Sequence, residues 1–398
     1  MKDKDKLVLA YSGGLDTSYC AVHLSQDLGY EVYAISVNTG GFSHSEIASI
    51  ESKAYQMGVS FYKNIEATEK FFEKVVKFLI FGNVLKNNTY PLSVSAERII
   101  QAIEIVEYAK SINAKFIAHG STGAGNDQVR FDMIFQILAP EIQIITPIRD
   151  QKLSRQEEIS YLNSKGIDLS WNKAKYSINK GLWGTSVGGD ETLTSHLTLP
   201  EEAYPSSLEK KDQTLVTLSF LKGKLVAING IENKPVKNIQ ILNELASDYA
   251  IGRDIHVGDT IVGIKGRVGF EAPAALIIIK AHHLLEKHTL SKWQLQHKDN
   301  LASYYGMHLH EGQYLDPMMR DIEAFFESSQ TNVTGDVSVI LKPYHFTLEG
   351  ISSSYDLMRS EFGSYGEMNT SWTADDAKGF IKISANQNKI IQNVNDKP

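Results

Sequence analysis

Residues 7–18 read Leu7-Val8-Leu9-Ala10-Tyr11-Ser12-Gly13-Gly14-Leu15-Asp16-Thr17-Ser18, and this stretch decides the fold. Its first part, residues 7–11, is a short apolar run without helical spacing, the pattern of a strand buried on both faces. Its second part turns on two glycines and continues through residues 19–24 as a helix. In open α/β sheets, ligands bind beyond the carboxyl ends of strands. Adjacent glycines let the backbone turn tightly and bring N–H groups close to an anion. The helix start adds free donors and partial positive charge. Ser12, Thr17 and Ser18 supply hydroxyls. Asp16 is out of place in a pure anion cradle, but a carboxylate beside phosphates makes sense if Mg²⁺ bridges them. The loop lacks the lysine of a Walker A motif and the spacing of a dinucleotide fingerprint. It suits a pyrophosphate cradle, which an enzyme cutting ATP between its α- and β-phosphates needs. Alone, Ser-Gly-Gly would read as a plain turn; the flanking strand and helix and the hydroxyl and carboxyl groups set it apart.

Working outward, residues 31–38, 115–119 and 142–148 repeat the buried-strand pattern. Helices fall between them. In residues 97–110, Ile99, Ala102, Ile103, Val106 and Ala109 line one face, and Gln101, Glu104, Glu107 and Lys110 the other. Phe71, Phe72, Val75, Val76, Leu79 and Ile80 follow a similar period, and Ser154 with Glu157 fits a capping box. Strands alternating with helices predict a doubly wound parallel α/β sheet for residues 1–170. The texture changes after about Trp171. Residues 171–212 carry few long periodic elements and read as a connecting, substrate-facing segment. Hairpins are expected around Lys222-Gly223 and over residues 337–348. Helices are expected over 239–249, 273–290 and 317–328. Residues 171–373 thus predict an α+β second domain. Residues 374–398 predict a helical tail, either docked on a neighbouring molecule or loose.

A second constellation follows the strand at 115–119: Gly120-Ser121-Thr122-Gly123-Ala124-Gly125-Asn126-Asp127-Gln128-Val129-Arg130-Phe131. It is again a strand-to-helix junction at the carboxyl edge of the sheet. Thr122, Asn126, Asp127 and Arg130 offer a hydroxyl, an amide, an anion and a cation. Asn126 and Arg130 are four apart and share a helix face. Arginine fits a carboxylate bidentately, and aspartate fits an ammonium, so the group could hold both ends of an amino acid. The plainer reading is a solvated helix cap with a surface ion pair.

The net charge of −7 and pI near 6.0 speak against a general nucleic-acid surface. The one cysteine, Cys20, excludes an internal disulfide and suits a reducing cytoplasm. It reads as a buried residue of the first helix, with no activating partner in the sequence. The charged start lacks the long apolar region of a signal peptide. No run approaches the roughly 18 apolar residues of a membrane helix. The nearest, residues 274–279, is ended by Lys280 and two histidines. The expectation is a cytoplasmic protein with no membrane partner. His308 and His310, with Glu311, alternate as in a short solvated hairpin strand, too weak a pattern for a metal site.

Taken together, AYSGGLDTS and AHGSTGAGNDQVRF resemble the argininosuccinate synthases, members of the PP-loop ATP pyrophosphatases. Tyr176-Ser177-Ile178, Leu182-Trp183-Gly184-Thr185-Ser186 and Asp376-Ala377-Lys378-Gly379-Phe380-Ile381 extend the resemblance over almost the whole chain. It implies an ATP-dependent ligase that activates the ureido group of citrulline as an adenylate and joins it to aspartate. It implies ATP and Mg²⁺ as cofactors and a homotetramer locked by the C-terminal helix. By resemblance, Ala10, Tyr11, Ser12, Gly13, Gly14, Leu15, Asp16, Thr17 and Ser18 hold ATP, with Val37 and Gly120. Thr122, Asn126 and Asp127 match aspartate-binding positions. Tyr90, Ser95, Asn126, Arg130, Ser177 and Ser186 match citrulline-binding positions, and Arg98 matches an arginine near the substrates. Ser12, Asp16 and Asp127 are the groups expected at the chemistry. A tRNA-thiolating relative would need reactive cysteines and a basic surface, and a nucleotide sensor would not need the second constellation.

The chain departs from the family at four places. Gly258 and Phe270 stand where a glutamate and a tyrosine usually close the citrulline site, Gly181 replaces an asparagine, and Thr185 an arginine. A charge-assisted hydrogen bond to a substrate ammonium is worth about 1.5–3 kcal/mol. Either the acceptor is a citrulline acylated on its α-nitrogen, or Asp259 or Glu271 fills in, or the correspondence slips locally.

Overall fold

The computed structural model describes residues 4–167, 175–359, 363, 365–367 and 371–396. The domain boundary expected at Trp171 lies outside the described residues. Strands and helices alternate through the first part of the chain: β1 (Lys6–Ala10), α1 (Leu15–Val22), β2 (Glu31–Asn38), α2 (His44–Gln56), β3 (Phe61–Glu66), α3 (Thr68–Phe71), α4 (Lys77–Phe81), α5 (Ser93–Ser111), β4 (Phe116–Ala118), α6 (Asp127–Leu138), β5 (Gln143–Ile145), α7 (Pro147–Gln151) and α8 (Arg155–Ser164). All five strands run parallel in the order β3-β2-β1-β4-β5. The predicted doubly wound sheet is therefore present. Val8 packs into one apolar cluster while Leu7 and Leu9 pack into another, so β1 is buried on both faces. This is why its sequence is apolar throughout rather than alternating.

β1 sits between β2 and β4, where the strand order reverses. The loops leaving β1 and β4 therefore emerge side by side, the usual place for a ligand in such sheets. α5 begins four residues earlier than its apolar spacing indicated, and this added turn holds Ser95 and Ala96 in the buried face. The Ser154–Glu157 capping box is formed as expected. β3 escaped the sequence reading because exposed and buried residues mix along it.

The later elements are β6 (Ser177–Gly181), β7 (Gly184–Gly188), β8 (Thr214–Leu221), β9 (Lys224–Ile228), β10 (Ile231–Glu232), α9 (Pro235–Ser247), β11 (Arg253–Asp259), β12 (Lys265–Glu271), α10 (Pro273–Thr289), α11 (Lys292–His310), α12 (Pro317–Ser329), β13 (Gly335–Lys342) and β14 (His345–Ser352). They form two antiparallel sheets, β10-β9-β8-β13-β14 and β11-β12-β7-β6. Two expectations need correction. Residues 171–212, read as largely without regular elements, contain the β6–β7 hairpin, which pairs with β12. His308 and His310 lie at the end of a long helix, not in a strand. Ser291 and Gln294 cap its start, and Ala302, Tyr305 and Leu309 bury at helical spacing.

Residues up to Ser354 form one compact unit, and Tyr355–Pro398 a second. The second contains α13 (Ala374–Ser384), opened by a Thr373–Asp376 capping box, and α14 (Asn386–Asn395). No helix among the described residues is long and apolar enough to cross a membrane.

Candidate active site

A cleft of about 1080 Å³ opens where the β1 and β4 loops emerge, and the four-stranded sheet supplies part of its lining. On the first loop, the Gly14 N–H donates to Ser12 Oγ at 3.4 Å, Thr17 Oγ1 donates to the Gly14 carbonyl at 3.2 Å, and the two hydroxyl oxygens lie 3.3 Å apart. Ala10, Tyr11, Ser12, Gly14, Leu15, Asp16, Thr17 and Val37 line the cleft. Gly13 and Ser18 do not; both are buried beneath the turn. Glu158 of α8 lies behind Asp16. Burial and the Asp16 carboxylate push the Glu158 carboxyl up to about 8. The raised value favours the neutral form of Glu158 beside the Asp16 carboxylate.

Gly120 joins the two loops. A Cβ there would lie 3.1 Å from the Asp16 carbonyl carbon and 3.2 Å from the Thr17 nitrogen. A glycine lets the chain leaving β4 sit this close to the phosphate loop without displacing it. His119 supports the second loop from below. Its Nδ1 accepts from the Ser121 N–H at 3.2 Å, so its Nε2–H donates to Asp132 at 2.8 Å.

Thr122, Asn126, Asp127 and Arg130 all line the cleft, as the spacing indicated. Their charges are partly engaged with one another. Arg98 Nε donates to Asp127 Oδ2 and Arg130 donates to Oδ1, both at 2.9 Å. Desolvation works against the Asp127 carboxylate, but the two guanidinium groups outweigh it and hold its pKa below the usual range. Arg130 also donates to the His310 carbonyl at 2.9 Å. Asn126 Oδ1 accepts from the Ile261 N–H at 2.8 Å, tying this loop to the β11–β12 turn.

Tyr90, Ser95, Arg98, Ser177 and Ser186 line the same cleft. Tyr90 is held by Ser93 and the Val94 N–H, both donating to its hydroxyl at 3.3 Å. The ring stacks on His256 at 5.2 Å and meets Phe270 at a tilt of 56°, 5.4 Å away. Phe270 is fully buried and packs behind Tyr90, whereas Gly258 lines the cleft. Glu271 does not line the cleft; it is buried and accepts from Arg253 at 2.9 Å. Asp259 lines the rim, paired to Lys265 at 2.5 Å.

Sequence reasoning missed His119, Glu97, His256 and His310, all of which line the cleft. His119 stands at the start of the second motif but was passed over as the end of a strand; Glu97, His256 and His310 sit in no motif and are brought in by α5, β11 and α11. Glu97 is 2% exposed, and its carboxylate fills the space a side chain at Gly181 would need. Burial pushes its carboxyl up to about 8, with Arg98 and Thr39 opposing. The cleft thus pairs a hydroxyl- and N–H-rich loop with an arginine-braced carboxylate and amide, suited to phosphates on one side and amino-acid substrates on the other.

Comparison with known proteins gives the family. The family model described as the arginosuccinate synthase N-terminal HUP domain matches residues 6–168, and that of the arginosuccinate synthase C-terminal domain matches residues 176–391. The chain is 39% identical to the argininosuccinate synthase of Methanocaldococcus jannaschii, covering 90% of this chain and 91% of that one. It is 37% identical to the enzyme of that name from Dictyoglomus turgidum, with 98% of each covered. Against the Bacillus pumilus argininosuccinate synthase the identity is 36%, over 100% of this chain and 99% of that one.

Proposed function

The chain belongs to the argininosuccinate synthase family, and from that premise we propose how its cleft ligates a citrulline-type ureido group to aspartate at the expense of ATP. The ureido oxygen attacks the α-phosphate and releases pyrophosphate. The aspartate amine then displaces AMP from the adenylate. Residues 10–18, with Val37 and Gly120, take the nucleotide. Ser12, Gly14 and Thr17 face the departing pyrophosphate, and the free N–H groups at the start of α1 add to its binding. Thr122, Asn126 and Asp127 take aspartate. Tyr90, Ser95, Asn126, Arg130, Ser177 and Ser186 take the acceptor, and Arg98 keeps Asp127 ionised between them.

Among the described residues no group of three or more His, Cys, Asp or Glu could hold a metal ion by itself. Mg²⁺ fits beside Asp16 all the same, because this ion takes one or two carboxylates and completes its shell with phosphate oxygens and water. When bound it neutralises charge on the leaving pyrophosphate. Catalysis rests mainly on positioning and fixed charge.

The observation that carries this reading is the contact of the two loops at Gly120, which sets the nucleotide cradle against the amino-acid loop. We assign nucleotide binding to residues 1–170, which also carry much of the substrate site, further substrate contacts and oligomerisation to 171–373, and the locking of a cytoplasmic homotetramer to the tail 374–398. The test is formation of AMP and pyrophosphate by the purified protein. Both should require a ureido acceptor, and the ligated product should require aspartate. ATP cleavage to ADP, or turnover indifferent to both amino acids, would refute it.

A further inference from the structure

Beyond Tyr90 the cleft ends among donors and cations. His256 and His310 are 7% and 6% exposed, both line the cleft, and the Nδ1 atom of each is buried without a protein partner. Lys86 and Arg130 act on these rings as neighbouring positive charges. Burial, reinforced by Arg130, Lys86 and His256, pushes His310 down to about 3, and burial with Lys86 lowers His256. Gly258 leaves the way to this pocket open: a Cβ there would lie 2.7 Å from His256 Nε2.

The nearby carboxylates are engaged elsewhere. Asp127 is bracketed by Arg98 and Arg130, Asp259 is paired with Lys265, Glu271 with Arg253, and Glu311 acts on Lys86. Glu97 keeps its proton up to about pH 8. An α-ammonium placed beside Tyr90 would meet imidazoles and cations. A carboxylate placed there would face the Arg130 charge and the one N–H that each neutral imidazole carries, and the free Nδ1 atoms let that proton sit on either nitrogen.

We propose that the pocket bounded by Gly258, His256 and His310 receives an extra carboxylate on the acceptor, so that the preferred acceptor is a citrulline whose α-nitrogen is acylated by a short dicarboxylic acid. Acylation removes the ammonium, and the free end of the acyl group reaches the imidazoles. The proposal rests on the ligase reading above and names the acceptor class for that same site.

The experiment measures aspartate-dependent AMP formation by the full chain with citrulline, N-acetylcitrulline and N-succinylcitrulline. The expected kcat/KM is highest for N-succinylcitrulline, by about tenfold or more over each of the others, the size of one charge-assisted hydrogen bond. Equal or better turnover of citrulline or N-acetylcitrulline overturns the carboxylate pocket while leaving the ligase reading intact. No AMP with any acceptor overturns the ligase reading itself. His256→Leu should narrow the succinyl-to-acetyl ratio by about fivefold or more. Equal losses on the two acylated acceptors would mark His256 as merely structural and overturn its assigned role. Gly258→Glu, which places a carboxylate against the pocket, should shift preference toward free citrulline; an unchanged preference counts against the proposal.

Discussion

At Gly120 a Cβ would be tight against the Asp16 and Thr17 backbone, at 3.1 and 3.2 Å, so any side chain must push the phosphate loop back. Gly120→Ala should force the loops apart by a few tenths of an ångström and lower kcat for AMP formation by about tenfold or more, since small misplacements at a reacting centre are costly. Steady-state kinetics checks this, and a rate within twofold of the parent would contradict it. Glu97 gives a second prediction. The folded protein keeps this proton up to about 8, while the unfolded chain releases it in the ordinary carboxylate range. Between those values the native state binds more protons, so stability falls as pH rises and levels off above about 8. Glu97→Gln should therefore melt with a shallower pH slope than the parent, with the residual slope including Glu158, whose carboxyl is raised in the same sense. Parallel melting curves across neutral pH would contradict the assignment. Both glycine-rich loops were legible in the sequence because backbone geometry and chemistry there lie within a dozen residues. His256 and Glu97 were not, because a single polar residue in a strand or helix carries no local sign of what faces it.

At the scale of elements, α10 and α11 are joined by a buried ion pair. Lys298 Nζ donates to Glu286 Oε2 at 2.6 Å and to the Phe81 carbonyl at 2.7 Å. Asn83 and Gln330 also donate to Glu286, at 2.6 and 2.9 Å. Both charged side chains are fully buried. Lys298→Met would leave a carboxylate buried without its cation and should cost about 3–5 kcal/mol, read from the denaturation midpoint. Adding Glu286→Gln should recover most of that loss, and a double variant as unstable as the single one would show that packing rather than charge dominates. Element types were readable where apolar spacing was long and regular, as in α5, α10 and α12. The β6–β7 hairpin hid because its serines, glycines and threonine read as loop, although pairing with β12 makes it a sheet. His308 and His310 misled because two residues of alternation were weighed without the 19-residue helix that they end.

At the scale of the molecule, the C-terminal helices expose an apolar set. Phe380, Ile381, Ile383, Ile390, Ile391 and Val394 are all half or more exposed. Such a patch is costly in water and marks a surface meant to be covered. Deleting residues from 374 onward should shift the sedimentation coefficient to a smaller species, whereas an unchanged oligomer would dissociate the tail from assembly. The sequence showed these apolar residues but left open whether the tail docks or hangs loose, because what would cover them is not encoded locally. The hydrogen bond from the Ile261 N–H to Asn126 spans 135 residues and has a consequence of its own. That bond takes one of the two lone pairs of the amide oxygen and fixes which way the side chain faces, so its NH₂ group is turned to donate to a ligand. A ligand that draws this amide inward also draws the β11–β12 turn, and thermodynamic reciprocity requires the turn's occupant to favour that ligand by the same factor. Titrating each amino-acid substrate in the presence of the other should therefore show one common factor of change in affinity, and independent binding would contradict this coupling.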